Sequence, residues 1–223
     1  MMHEIKISLP FYKISYAVFF VVILSLVRGV TYSDEIGIAL EAPMAILAAS
    51  FCADTYTQEI TGKRSEIQRL YPMKKRMYSI YRRIVIQEIF LLSVAVTGYG
   101  LFYIVQNPGK AGIGQNGSKN EICQFLVYFA AIAVTLVFWG LLSNLLSCLS
   151  RNMWLGISGC LLLCLITNSS VGDRYLGAWN LFSYTFRNVG NSSGFSWICG
   201  KIVCVCIGII TVAVLPEIIE KRG

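Results

Sequence analysis

The chain has 223 residues, of which 56% are hydrophobic and 14% charged, with a mean hydropathy of +0.63 and a net charge of +7. A soluble domain averages about 25% charged residues, and disorder needs few apolar residues, so both classes are excluded. A disulfide-stapled secreted fold fits poorly, because Cys52, Cys148, Cys160, Cys164, Cys204 and Cys206 lie inside apolar runs. An all-α integral membrane protein remains, since in lipid only helices and closed barrels satisfy the backbone, and these runs lack a strand-like alternation.

A spanning helix needs about 20 mostly apolar residues. Six candidates follow in chain order: 14–30, 36–53, 84–105, 122–148, 153–167 and 198–215. They form one transmembrane domain over residues 1–223. The first run lacks an A-x-A cleavage site and is expected to be retained. The second contains Glu41 and Pro43, and the third has Glu88 near its start. The tract Ile122–Ile166 is too long for one span and is broken only at Arg151–Asn152, which predicts a tight turn between two helices. Pro216 is expected to end the last helix.

The distribution of basic residues predicts orientation. With the N-terminus in the cytoplasm, 13 of the 19 Lys and Arg residues fall on inner segments. Both ends are then cytoplasmic, and the net charge reflects topology, with no nucleic-acid surface implied.

Two polar segments stand out. Asp54–Arg83 is predicted to be cytoplasmic. Ser65 with Gln68 fits a capping box and Pro72 is a stop, so a short helix is expected over Glu66–Tyr71. Ile67, Leu70 and Tyr71 give it one apolar face. The basic run Lys74–Arg83 then begins the third span. Asn168–Trp197 is predicted to lie outside, and seven of its residues are aromatic. Tyr175, Trp179, Phe182 and Phe186 fall on one helical stripe, as expected of an interfacial or re-entrant helical segment. An aromatic anchor without a transport role fits the same spacing.

Several other patterns carry little. Gly112, Gly114 and Gly117 match G-x-G-x-x-G, but without a strand before them and inside a short outer loop. The chain is therefore expected to have no ATPase site of its own. His3 is the single histidine, which leaves no zinc spacing, no Ser-His-Asp triad and no metal site. Asn116, Asn168 and Asn191 begin glycosylation sequons on the outer side, and Cys123 and Cys199 lie near outer helix ends, close enough in depth to pair. Glu41 and Glu88 are the acids within the spans, one near each face, and so cannot act as a pair. Glu88 lies five residues beyond Arg83, about 7–8 Å at 1.5 Å per residue, and is expected to reach the headgroups. If the second span starts near Pro43, Glu41 lies at the outer surface. Ala45, Ala49 and Ala53, like Ser143 and Ser147, have small-xxx-small spacing suited to close helix packing. Asn144 beside them is either interhelical glue or faces a pathway.

The segment Glu59–Arg76 resembles the link between the second and third helices of ABC-2-type permeases, the membrane subunits of type V ABC exporters. The matching residues are Glu59, Gly62, Glu66-Ile67, Leu70-x-Pro72 and the basic residues 74–76. Trp179–Phe186 is similar to the family's N-P-F-x-Y-x-F stretch, with Phe182, Tyr184 and Phe186 matched and Leu181 in place of proline. The resemblance implies a six-helix permease of the cell membrane, multi-pass, exporting an amphipathic or peptide-like substrate. It implies a coupling helix that docks on an ABC ATPase subunit holding ATP and magnesium, and pairing with a second permease chain. Ile67, Leu70 and Tyr71 would fill the ATPase groove, with Glu59, Arg64 and Arg69 at its rim. Tyr175, Trp179, Phe182, Tyr184 and Phe186 would form the outer gate. Only about ten residues precede the first span, fewer than the family often has. The alternatives are a secondary transporter or channel, and a non-transporting scaffold that docks a soluble partner through residues 54–83.

Overall fold

The computed structural model describes residues 7–31, 35–55, 72–108, 117–182 and 196–222. Its long helices are α1 (Phe11–Val27), α2 (Glu35–Cys52), α3 (Met73–Gln106), α4 (Gly117–Ser150), α5 (Met153–Thr167) and α7 (Ser196–Arg222). A short α6 (Ser170–Leu176) and one 3-10 turn (Gly177–Trp179) follow α5. Four stretches are long and apolar enough to cross a bilayer: Glu35–Cys52, Met77–Gln106, Phe125–Ser150 and Ile198–Glu220. The pair α5 and α6 passes the same test only if taken together across a 61° bend, and α1 is a shorter apolar helix.

The helices pack with α2 and α4 at the centre. α4 contacts α2, α3, α5 and α7, and α2 also meets α1, α3 and α5. The surface is apolar and the interior carries the polar groups. Phe19, Leu26, Ile89, Leu126, Leu165, Ile209 and other large apolar side chains are exposed, while Lys13, Glu41, Asp54, Gln87, Glu88, Asn144 and Lys201 are buried. In water such a surface would drive aggregation. It suits a membrane protein, whose ionisable side chains face the interior of the bundle.

Local chemistry explains the ends. Pro10 precedes α1 and Pro72 precedes α3, both with extended ψ, and neither has an amide that the first turn would leave unsatisfied. Gln106, the last residue of α3, donates from Nε2 to the carbonyls of Ser25 (2.7 Å) and Arg28 (2.6 Å) and accepts from Val30 N (2.7 Å). It supplies donors to carbonyls at the C-terminus of α1, where the helix cannot supply its own. The predicted turn at Arg151–Asn152 is present. Arg151 is left-handed (φ 54°), and Asn152 caps α5 by accepting from Trp154 N at 2.9 Å.

Two prolines lie inside helices. Pro43 lies inside α2, which starts at Glu35 close to the expected 36–53, so the alternative start near Pro43 does not hold and Glu41 is within the helix. Pro216 does not end α7, which continues to Arg222. A proline in a helix frees the carbonyl four residues earlier. At Pro216 that carbonyl belongs to Val212, and it accepts a 2.8 Å hydrogen bond from the Tyr81 hydroxyl on α3. The neighbouring helix makes good the lost bond.

Candidate functional site

The predicted small-residue faces of α2 and α4 meet. Ala45, Ala49 and Ala53 are buried, and the Ser143 hydroxyl donates to Ala49 O at 2.5 Å. Asn144 Nδ2 donates to Cys52 O at 3.4 Å and its Oδ1 accepts from Cys148 Sγ at 3.4 Å. Asn144 is interhelical glue.

Two buried ion pairs flank this seam. At the end bearing the basic start of α3, Lys13 pairs with Asp54, which follows α2. The Lys13 ammonium also donates to Phe51 O at 2.9 Å and lies 4.9 Å from the centre of the Phe51 ring. Beside it, Gln87 on α3 joins the Thr55 hydroxyl (2.7 Å) to the Ser8 carbonyl (3.2 Å). Toward the other end, Lys201 on α7 pairs with Glu41 on α2. Lys201 Nζ also donates to Thr135 Oγ1 on α4 (2.8 Å) and to Leu181 O (3.1 Å). An ammonium has three donors, and all three have acceptors here. The Thr135 hydroxyl donates in turn to Glu41 Oε1 at 2.8 Å. Burying these charges costs several kcal/mol per ion, so the pair persists only because its geometry is complete.

Among the described residues Glu88 has no such partner. Its Oε1 receives only the Cys52 thiol, at 3.6 Å, and its Oε2 is buried without a hydrogen bond. A Cβ added at Gly140 on α4 would collide with Oε1, so the missing side chain there makes room for this carboxyl. Glu41 and Glu88 are 1% and 8% exposed, packed within the bundle. α2 begins well before Glu41, and α3 places Glu88 against α2 and α4.

After α5 the chain folds back onto the bundle. Gly177 takes φ +48°, where α6 gives way to the 3-10 turn, and Asn180 Nδ2 donates to Thr167 O at 3.0 Å. Phe182 is buried and stacks on Trp139 of α4, with ring centres 5.5 Å apart. Tyr175 and Trp179 are exposed. The single aromatic stripe expected from their spacing is therefore split, because helical phase is lost at Gly177. Tyr184 and Phe186 lie outside the described residues, as do Glu59, Gly62, Arg64, Glu66, Ile67, Arg69, Leu70 and Tyr71 of the expected coupling helix. Pro72 is described and precedes α3.

Sequence reasoning singled out Glu41, Glu88, Ser143 and Asn144, and the structure gathers them around α2. It did not single out Lys13, Asp54, Gln87, Thr135 or Lys201. Lys201 carried a readable signal, since it falls three residues inside the apolar run that begins at Ile198. Among the described residues no group of three or more His, Cys, Asp or Glu side chains could hold a metal ion. Compared with known proteins, the chain matches no family model, no curated protein and no solved structure.

Proposed function

We propose that the chain is the membrane-embedded permease subunit of an ABC-2-type exporter, working with a separate ATPase. The observation that carries this reading is the fold-back between α5 and α7, with Phe182 stacked on Trp139. It supports the re-entrant outer segment that the sequence resemblance implies. The reading takes α1 and the bent pair α5–α6 as spans beside the four long stretches, six in all, and sets the basic ends of the bundle in the cytoplasm by their charge.

In this reading the chain carries no ATPase site. Closure of the partner ATPases would push on residues 56–71, which join α2 to α3. Those two helices carry Glu41 and Glu88, so their displacement changes the polar interior while the substrate crosses. The substrate is an amphipathic or peptide-like molecule.

Affinity purification from native membranes tests this. An ATPase subunit with a phosphate-binding loop should co-purify, and Leu70→Asp should detach it, since losing a groove-filling anchor costs about 2 kcal/mol or more. Retention of the ATPase and of transport in Leu70→Asp would overturn the reading. A second reading, a secondary transporter, draws support from the buried Glu41–Lys201 pair. Gradient-driven uptake by the purified chain alone in proteoliposomes would establish it instead.

A further inference from the structure

One face of α3 changes character along its length. Lys74, Tyr78, Arg82, Val85 and Ile89 follow at spacings of four, four, three and four, which puts them on a single stripe of the helix. Arg82 is half-exposed and the other four are exposed. Lys75, seven residues before Arg82, flanks the stripe and is exposed too. The stripe runs from ammonium through a phenol ring and a guanidinium to bare aliphatic side chains. The apolar stretch Met77–Gln106 has 30 residues. That is about 45 Å of helix, whereas the hydrocarbon core is about 30 Å thick. Counted back from Gln106, about 20 residues fill the core and reach the neighbourhood of Val85. Lys74, Tyr78 and Arg82 then lie at headgroup depth, and Val85 and Ile89 at acyl depth.

The apolar half of the stripe borders a groove of about 330 Å³ between α3, α4 and α7, whose α3 wall runs from Tyr81 to Leu92. That is about 16 Å along the helix, the depth of one leaflet in a core of about 30 Å. Tyr81 and Val212, joined by a hydrogen bond, form the end nearest the basic residues. A second groove of about 460 Å³, between α4 and α7, shares Ala133, Val137, Leu141 and Val212 with the first. Both are almost wholly apolar. Val85, Ile89, Val137 and Val212 are exposed, so both grooves open sideways, where lipid would lie.

We infer that this face is a binding site for one anionic phospholipid of the leaflet at the basic end of the bundle. Its phosphate is held by Lys74 and Arg82, and its two acyl chains lie in the two grooves that share a wall. Charge complementarity commits the occupant. Basic residues at headgroup depth favour anionic lipid, whereas a zwitterionic lipid fills the same grooves but brings its own cation to the lysines. A second copy of the chain, related by a two-fold axis along the membrane normal, would bring the basic stripe against itself. The site does not draw on the exporter reading.

The test is native mass spectrometry of the purified full chain in neutral detergent, titrated with dioleoyl phosphatidylglycerol or dioleoyl phosphatidylcholine. One phosphatidylglycerol per chain should bind about tenfold tighter than phosphatidylcholine, or more, given two or three basic residues at the headgroup. Lys74→Gln combined with Arg82→Gln should abolish that preference and leave phosphatidylcholine binding unchanged. Ala133→Phe fills the shared wall from a half-exposed position, keeps the basic residues and should weaken both lipids. Arg174→Gln removes an exposed cation on α6 and should change neither. Equal affinity of the wild type for the two lipids, or an unchanged preference in the double variant, overturns the site. Competition by glycerol phosphate would mark a site for free anions, and a dimer that excludes the lipid would mark a contact between copies; either result also overturns it. The readout is lipid binding alone, so ATPase co-purification judges the exporter reading separately.

Discussion

Lys13–Asp54 and Lys201–Glu41 are the same chemical pair in two settings. The first joins elements close in the chain, the start of α1 and the residues just after α2, and Lys13 also accommodates the Phe51 carbonyl and ring. The second spans 160 residues and ties α2, α4, α7 and the fold-back after α5 to one ammonium. An ion pair at a helix end staples neighbours, whereas one inside the bundle sets which helices face each other. The difference lies in how many elements lose a partner when one side chain is removed.

Breaking the inner pair should therefore do most. Glu41→Leu strands Lys201 among apolar helices and should cost about 3–5 kcal/mol, read as a lowered unfolding midpoint in detergent. Adding Lys201→Met should restore much of that stability, and a double variant as unstable as the single one would contradict the argument. Phe182→Ala tests the fold-back held by the same lysine. It removes a fully buried ring stacked on Trp139 and should cost about 3 kcal/mol, with faster proteolysis between α5 and α7. Asp54→Ala should cost less, about 1–3 kcal/mol, because Lys13 keeps the Phe51 carbonyl and its long stem can reach toward water. If Asp54→Ala proves as damaging as Glu41→Leu, the distinction between staple and organiser fails. Tyr81→Phe should be mildest, about 1 kcal/mol, with hydrogen exchange increased around Val212.

The helices were legible because apolar runs and the Arg151–Asn152 break are local signals. The small-residue faces were legible for the same reason, since Ala45, Ala49 and Ser143 repeat at helical spacing. Pairing across the bundle was not. Lys201 lies inside the 198–215 run and Lys13 just before the 14–30 run, yet that both are buried is not readable, because hydropathy carries no information on which helix each faces. Pro43 left open whether the second helix starts before Glu41 or after it, and the helix runs through it from Glu35. The aromatic spacing at 175, 179 and 182 held its periodicity on paper but lost it at Gly177, where φ is positive and α6 gives way to the 3-10 turn.

Pro216 has one more consequence. The carbonyl it frees at Val212 is answered from α3 by Tyr81, so one rung of the last helix belongs jointly to two distant positions. Relatives of this chain should then vary at 81 and 216 in concert. A lineage that regains an ordinary amide at 216 no longer needs the tyrosine, and a lineage that keeps the proline should keep a hydroxyl or another donor opposite it. Aligned sequences in which the two positions drift independently would show that the shared rung is dispensable.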